Sequence, residues 1–199
     1  GRAKRLGYWT FRHPLVMFVF GPIWALVLSP RFISRKMRPR MRRSVMVTNA
    51  AVVAMVAALV LLMGWQDYIL TIWPAALIAG AAGVFLFYVQ HQFEDAYWES
   101  ADSWDYDEAA LRGSSYLKLP KVLQFFTGNI GLHHVHHLSA RIPNYNLQRA
   151  HDDHEVFKTV PTLTLRTAFR TVRLKLWDAE SGRLVTFAEA RAMRGAIPQ

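Results

Sequence analysis

The residues best suited to chemistry in this sequence are histidines gathered in one short stretch. Four of the eight histidines fall within five positions, in His133-His134-Val135-His136-His137. On a helix, His133, His136 and His137 share one face, whereas His134 points about 100° away from His133. Three cationic rings there would repel one another, but three neutral imidazoles suit Zn, Cu, Fe or Ni. The pattern predicts a metal site; the alternative is a surface histidine tract that binds nothing specific.

The overall composition narrows the chemistry and the partners. Cysteine is absent, which excludes disulfide scaffolds, Cys-ligated zinc, iron–sulfur clusters and Cys nucleophiles. A hydrophobic content of 52% excludes a disordered chain. The formal net charge is +10, but one basic cluster stands directly before an apolar stretch, so a membrane surface explains it and we expect no nucleic-acid partner. That cluster contains Arg31, Arg35, Lys36, Arg38, Arg40, Arg42 and Arg43.

Two long apolar stretches precede the histidine run and must position it. They extend from about Met46 to Trp65 and from Tyr68 to Val89, and Asp67 is the only charged residue between Val45 and Val89. Each stretch is about as long as the roughly 20 residues that a membrane-spanning helix needs. The short link between them predicts a transmembrane helical hairpin. A hairpin buried inside a soluble protein is the alternative.

The basic cluster also predicts an orientation in the membrane. By the positive-inside rule, residues 30–45 and everything from about Gln90 onward should be cytoplasmic. The apolar segment from His13 to Ser29 is shorter and Pro22 interrupts it, so we expect it to lie in the interface or to re-enter.

These observations predict an all-α membrane protein in four parts. The parts are an interfacial or re-entrant helix with a basic cytosolic loop (1–45), the transmembrane hairpin (46–89), a cytosolic histidine-box region (90–160) and a cytosolic C-terminal tail (161–199). Within the tail, two short segments flank Glu180-Ser181-Gly182 and suggest a small β-hairpin.

The histidine run and its surroundings resemble the membrane fatty acid desaturases. His133-x-x-His136-His137, placed after the return from a membrane hairpin, is similar to the third histidine box of that family. Further similarities follow in order within residues 1–150, and the succession resembles the Δ12/ω-6 branch and its bacterial relatives. They are Gln90-His91-Gln92, Trp104-Asp105-Tyr106, Arg112-Gly113, Asn129-Ile130 and Pro143-Asn144-Tyr145-Asn146.

The resemblance implies a non-haem di-iron enzyme that uses O2 and two electrons to introduce a double bond into a fatty acyl chain. It makes His133, His136 and His137 iron ligands and His91 a fourth ligand, with no catalytic residue beyond the ligands. Substrate-binding residues are not indicated. The implied partners are a fatty acyl substrate, an external electron donor of ferredoxin or cytochrome type, and the lipid bilayer, which the resemblance to bacterial relatives makes a bacterial inner membrane. Basic residues around the histidine box suit an acidic donor; they are Lys118, Lys121, Arg141 and Arg149.

The sequence also departs from the family pattern. The family has two earlier histidine boxes, of HxxxH and HxxHH type, and before His91 this sequence contains only His13. Four histidines cannot supply a di-iron shell of eight or more. We therefore expect this chain to be the C-terminal portion of a desaturase, with an incomplete iron site and no activity alone.

Three residues are candidates for contacts behind the ligands. Asn129, four residues before His133, either approaches the metal through water or begins a helix. Glu94, three residues after His91, either orients an imidazole or is a solvated acid. His134 is expected to be an outer contact or a surface ring rather than a ligand.

A second histidine pair and two other functions stay open. His151 and His154, among Asp152, Asp153 and Glu155, suggest either a metal site or a helix terminus rich in acids.

The functional alternatives are a related histidine-box oxygenase (carotenoid ketolase or hydroxylase, or alkane hydroxylase) and a non-enzymatic membrane protein that binds metal. The Trp-Asp-Tyr and Pro-Asn-Tyr-Asn segments favour a fatty acyl desaturase.

Overall fold

The computed structural model describes residues 1–195, which form two compact units that meet in the chain between Phe85 and Leu86. The first unit begins with helix α1 (Arg2–Phe11), followed by a broken helical segment, Val16–Arg31, bent by 57° from α1. Two long helices come next, α2 (Pro39–Met63) and α3 (Trp65–His91), and α3 continues into the second unit. Both are long and apolar enough to cross a membrane, and the bent pair would be a third span if counted as one.

The two long helices form where the apolar pattern predicts them. Pro39 stands at the first turn of α2, where its missing N–H removes no hydrogen bond. The helix ends at Gly64, whose φ of 86° is a conformation that glycine adopts without steric cost. Helix α3 starts at the next residue and tolerates Pro74 in its first part. The predicted spans are therefore confirmed as helices. The first starts earlier than expected, at Pro39, and ends at Met63 rather than Trp65, while the second extends past both predicted ends.

The segment from His13 to Ser29 is helical but irregular. Its turns at Val16–Phe20 and Ile23–Leu28 have the wide π-type hydrogen-bond pattern, and Ser29–Arg31 closes it as a 3₁₀ turn. It packs closely against α3, because a Cβ added at Gly80 would lie 3.1 Å from the Pro22 Cβ. A bent, interrupted helix of this kind is either a broken membrane span or a re-entrant segment, so the interfacial or re-entrant position stays a prediction.

The second unit contains short helices and two pairs of short strands. In chain order they are α4 (Tyr106–Arg112), β1 (Tyr116–Lys118), α5 (Lys121–Phe126), α6 (His133–Leu138), α7 (Leu147–Asp153), β2 (Thr162–Thr164), α8 (Leu165–Thr171), β3 (Leu176–Asp178), β4 (Arg183–Val185) and α9 (Phe187–Gly195). Strands β3 and β4 pair antiparallel and confirm the predicted hairpin. Strands β1 and β2 pair in parallel, which the sequence analysis did not predict. The protein is mostly helical, as predicted.

The core of the second unit lies directly behind helix α6. Leu132, Val135, Leu147 and Phe157 form a buried cluster. Strand β1 passes beside the 3₁₀ turn Ile130–Leu132 that leads into α6. The approach is so close that a Cβ at Gly131 would lie 2.1 Å from the Leu117 carbonyl oxygen. Only glycine fits there, and the contact fixes where α6 begins.

Candidate metal centre

Three histidines from two helices converge in the second unit. His91 is the last residue of α3, while His133 and His137 stand one turn apart on α6. The ring centroids are 5.1 Å apart for His91 and His133, 4.8 Å for His91 and His137, and 4.4 Å for His133 and His137. One nitrogen from each ring lies within 4.8 Å of the others. Helix α6 has only six residues and cannot be stable alone, so its surroundings hold this geometry.

A backbone carbonyl orients the His91 ring. The His91 Nδ1 atom lies 3.0 Å from the Gly113 carbonyl oxygen. Since a carbonyl only accepts, Nδ1 carries the proton in this hydrogen bond, which leaves Nε2 as the ring nitrogen available to a metal. That Nε2 lies 3.2 Å from the His137 Nε2. The same arrangement, one ring nitrogen donating to a carbonyl and the other facing the metal, is usual for metal-binding histidines.

The His133 ring presents a buried nitrogen, Nε2. Among the residues that the structure describes, its Nε2 makes no hydrogen bond. Burial, followed by the neighbouring rings of His137, His91 and His136, lowers the pKa of His133 to about 4. Burial, followed by the rings of His91 and His136, also lowers the pKa of His137. Both rings are therefore neutral at pH 7, the form that binds a metal.

These observations fit a bound transition metal. An unpartnered buried imidazole nitrogen costs free energy unless something coordinates it. A metal among His91, His133 and His137 would use the His133 Nε2 and the His91 Nε2 lone pair together. Neutral imidazole ligands suit iron and its first-row neighbours.

His136 is predicted as a ligand but lies outside the converging group. Its side chain is exposed, and its ring stacks on His133 at 5.7 Å between centroids with an interplanar angle of 15°. On a helix, His136 and His137 stand on opposite sides of His133, by about 60° and 40° respectively. His91 approaches from the His137 side. A ligand role for His136 stays a prediction.

The three expected outer contacts occupy different places. His134 is fully buried and points away from the metal cluster, with its Nε2 3.0 Å from the His151 Nδ1. Asn129 has a positive φ of 60° at the start of the turn before α6, and its Nδ2 donates to the Asn144 carbonyl oxygen at 2.9 Å. The Glu94 carboxylate accepts from the Arg183 Nη1 at 3.0 Å. Their roles toward a metal stay predictions.

Burial keeps the His134–His151 pair neutral. Burial is the largest cause that lowers the pKa of His134, to about 3, and the ring of His151 adds to it. Burial also lowers the pKa of His151, while nearby Asp152 opposes the shift. At pH 7 one ring therefore donates the hydrogen bond and the other accepts it.

Sequence reasoning missed several groups that hold the converging histidines in place. The Tyr106 hydroxyl donates to the His137 carbonyl oxygen at 2.8 Å and ties α4 to the end of α6. The Gly113 carbonyl contacts the His91 ring, and the backbone of Gly131 lies against the Leu117 carbonyl. Both contacts use backbone atoms. Tyr106 and Gly113 belong to segments that carry the family resemblance, but nothing in the sequence shows what their atoms contact.

Comparison with known proteins decides the family. The family model for fatty acid desaturases matches residues 1–166. The chain belongs to the fatty acid desaturase family. A fatty acid desaturase of Bacillus subtilis (strain 168) is 45% identical over 197 residues, which cover 99% of this chain and 56% of that protein.

More distant desaturases match a smaller part of the chain. A chloroplastic omega-6 fatty acid desaturase of Brassica napus is 28% identical over 148 residues, 68% of this chain and 33% of that protein. An sn-1 oleoyl-lipid 12-desaturase of Synechocystis is 35% identical over 63 residues, 32% of this chain and 18% of that protein. The chain thus spans about half the length, or less, of these relatives.

Family membership indicates which metal the three converging histidines suit. Desaturases of this family are iron-dependent oxidoreductases, and the three converging histidines fit a histidine box. The two long apolar helices associate this desaturase chain with a membrane. The resemblance inferred from the sequence is confirmed at the level of the family.

Proposed function

We propose that this desaturase chain forms one wall of an iron site at which a fatty acyl chain is desaturated. The convergence of His91, His133 and His137 supports the proposal most directly. The unpartnered His133 Nε2 and the carbonyl-oriented His91 ring support it further. Such a site needs pre-oriented imidazoles, and the hydrogen bond from His91 Nδ1 to the Gly113 carbonyl orients one of the three.

The proposed reaction removes two hydrogens from adjacent methylene carbons. The acyl –CH2–CH2– unit, O2, two electrons and two protons give –CH=CH– and two molecules of water. Iron would supply the activation of O2, which no side chain in this cluster performs. The acyl chain is oxidised and O2 is reduced, so both electrons from outside and both hydrogens from the substrate are accounted for.

The residues of this chain would hold and orient the iron. His91, His133 and His137 would bind it, and His136 would be a fourth ligand after a change of side-chain rotamer at its exposed position. The Gly113 carbonyl keeps the His91 proton on Nδ1, which leaves Nε2 free for the metal. The Tyr106 hydrogen bond holds the end of α6 against α4.

We also propose that further iron ligands come from outside this polypeptide. The converging group in the described residues has three histidines, whereas a di-iron centre of this kind needs eight or more. On this proposal the chain alone carries an incomplete site and is inactive. Iron analysis and activity assays on the chain alone and within the full-length protein test it, because full activity of the chain alone would contradict it.

The electron donor would dock on a basic surface in the cytoplasm. The basic cluster before α2 favours a cytoplasmic histidine region. Arg141 and Arg149 line an open cavity of about 380 Å³, and Arg149 also pairs with Asp153. We expect Lys121→Glu with Arg141→Glu to slow reduction by an acidic donor in a salt-dependent way. Equal rates for wild type and variant at every ionic strength would contradict this docking surface.

Product analysis tests the proposed reaction. Cells that express the full-length protein should accumulate fatty acyl chains with new cis double bonds, measured by gas chromatography and mass spectrometry. A His137→Ala variant of equal abundance should abolish the product, whereas His154→Ala, which alters an exposed histidine outside the cluster, should retain it. Oxygenated lipids instead of new double bonds would favour a related oxygenase, and product from the His137→Ala variant would refute the metal site.

A further inference from the structure

The histidine pair behind helix α6 has no part in the proposed metal site, yet one of its members is fully buried. His134 has 0% exposure. Its Nε2 lies 3.0 Å from the Nδ1 of His151 on helix α7. The Tyr116 and Phe157 rings surround the pair, at centroid distances of 5.7 Å and 5.6 Å from His134. The described part of the chain places no third metal-ligating group beside the two rings, so the pair is not itself a metal site.

The position of this pair couples it to the three converging histidines. His134 follows the ligand His133 directly, and consecutive residues on a helix project about 100° apart. A hydrogen bond that fixes His134 on the core side of α6 therefore fixes the direction in which His133 and His137 project. Val135 also packs behind α6, but apolar contacts have no preferred direction. They therefore restrict rotation of α6 about its axis less than a directional hydrogen bond does.

Energetics give the hydrogen bond a strong orienting effect. His134 is buried, and its Nδ1 has no partner among the described residues. Turning α6 away from α7 would leave the second ring nitrogen unpaired as well, and an unpaired buried polar group destabilises the arrangement that contains it. Helix α6 has only six residues, so its own hydrogen bonds resist such a turn weakly.

We propose that the His134–His151 hydrogen bond sets the rotation of α6 and thereby aims His133 and His137 at His91. This inference rests on the proposed metal site and assigns His151 as a positioning residue rather than a ligand. His154, three residues further along and exposed, has no such role and serves as the matched control.

Cobalt binding tests the inference without an activity assay. The full chain, purified in detergent micelles, is titrated with Co²⁺, and the visible spectrum reports both affinity and ligand geometry. Wild type and His154→Ala should bind alike. His151→Ala should lose about tenfold or more in affinity, the usual range for an orienting contact. His151→Asn, whose amide can replace Nδ1 in the hydrogen bond, should recover most of the affinity and the wild-type spectrum.

A second pair of variants guards against a folding defect. His134→Phe keeps the ring volume without a hydrogen bond, and His134→Gln places an amide near the Nε2 position. If the hydrogen bond sets the affinity, His134→Gln should bind Co²⁺ more tightly than His134→Phe. Equal helical circular dichroism of the two variants shows that both are folded. Wild-type Co²⁺ affinity in folded His151→Ala or His134→Phe would overturn the positioning role alone. If wild type binds no Co²⁺, or if His133→Ala binds as wild type does, the proposed metal site fails and this inference fails with it.

Discussion

The two units of this protein treat apolar side chains in opposite ways. In the first unit, helix α2 buries no residue, and Leu61 and Leu62 are 86% and 83% exposed. In the second unit, Leu117, Leu132 and Val135 are at most 1% exposed. A lipid-facing helix satisfies its backbone internally and its side chains with hydrocarbon, so it needs no protein core. The second unit must build a core from short elements, and that core holds helix α6 with its histidines.

The largest expected difference between the units concerns core truncation. Leu132→Ala removes a buried side chain behind α6 and should lower the free energy of unfolding by about 2–5 kcal/mol. Leu61→Ala shortens an exposed side chain of α2 and should change it much less, because no cavity forms. Denaturant unfolding in the same detergent measures both variants. Equal losses would show that α2 is packed against protein rather than lipid.

Two glycines, Gly131 in the second unit and Gly83 in the first, differ in how closely other atoms pack around them. Gly131→Ala places a Cβ 2.1 Å from the Leu117 carbonyl oxygen, and relieving that clash should cost about 1–3 kcal/mol and weaken Co²⁺ binding. Gly83→Ala in α3 meets no atom within 4 Å and should be neutral or slightly stabilising, since alanine favours helix. Unfolding and cobalt titration report both effects. Unchanged metal affinity in Gly131→Ala would mean that β1 does not fix the position of α6.

A smaller effect is expected at the contact between α4 and α6. Tyr106→Phe removes only the hydroxyl that donates to the His137 carbonyl oxygen, and should cost about 0.5–1.5 kcal/mol of stability. The control, Tyr145→Phe, removes a hydroxyl from a side chain that is 76% exposed. Tyr106→Phe should therefore unfold at a lower temperature than Tyr145→Phe. If both melt like wild type, the Tyr106 bond adds nothing to the second unit.

The smallest effect concerns pH and the β3–β4 hairpin of the second unit. Asp178 accepts from the Ser181 backbone N–H at 2.9 Å and from its hydroxyl, and these bonds lower the pKa of Asp178. The resulting stability is present above the ordinary aspartate pKa and is lost as pH falls through the lower folded value. Wild type should therefore melt slightly above Asp178→Asn at pH 7, and the gap should close in acid. Glu180→Gln, in the same turn, is the control, and a gap that widens in acid would contradict the assignment.

Several features could be predicted from the sequence because they depend on local patterns. The hairpin follows from two charge-free stretches of spanning length, and its turn from Gly64. The shared face of His133 and His137 follows from helical spacing. The β3–β4 pair joins residues close in sequence across a short turn. Each of these involves neighbours along the chain, so the periodicity of one segment is enough.

Other features required contacts between distant residues. The β1–β2 pair joins Tyr116 to Thr162 in three-residue strands that carry no recognisable pattern. His136, which spacing places with the other box histidines, lies outside the converging group because His91 approaches from the side of His137. Spacing on one helix cannot reveal the direction from which another element arrives.

The sequence alone determined the family, the two long apolar helices and the histidines from which the proposed metal site is drawn, since these depend on residue type and on spacing along single helices. Only the tertiary structure decided which nitrogens face one another, that the Gly113 carbonyl orients His91, and that His134 turns back to His151. The physical reason is that hydrogen bonds between residues far apart in sequence depend on how the short elements pack, and that packing follows from the whole core rather than from any local pattern.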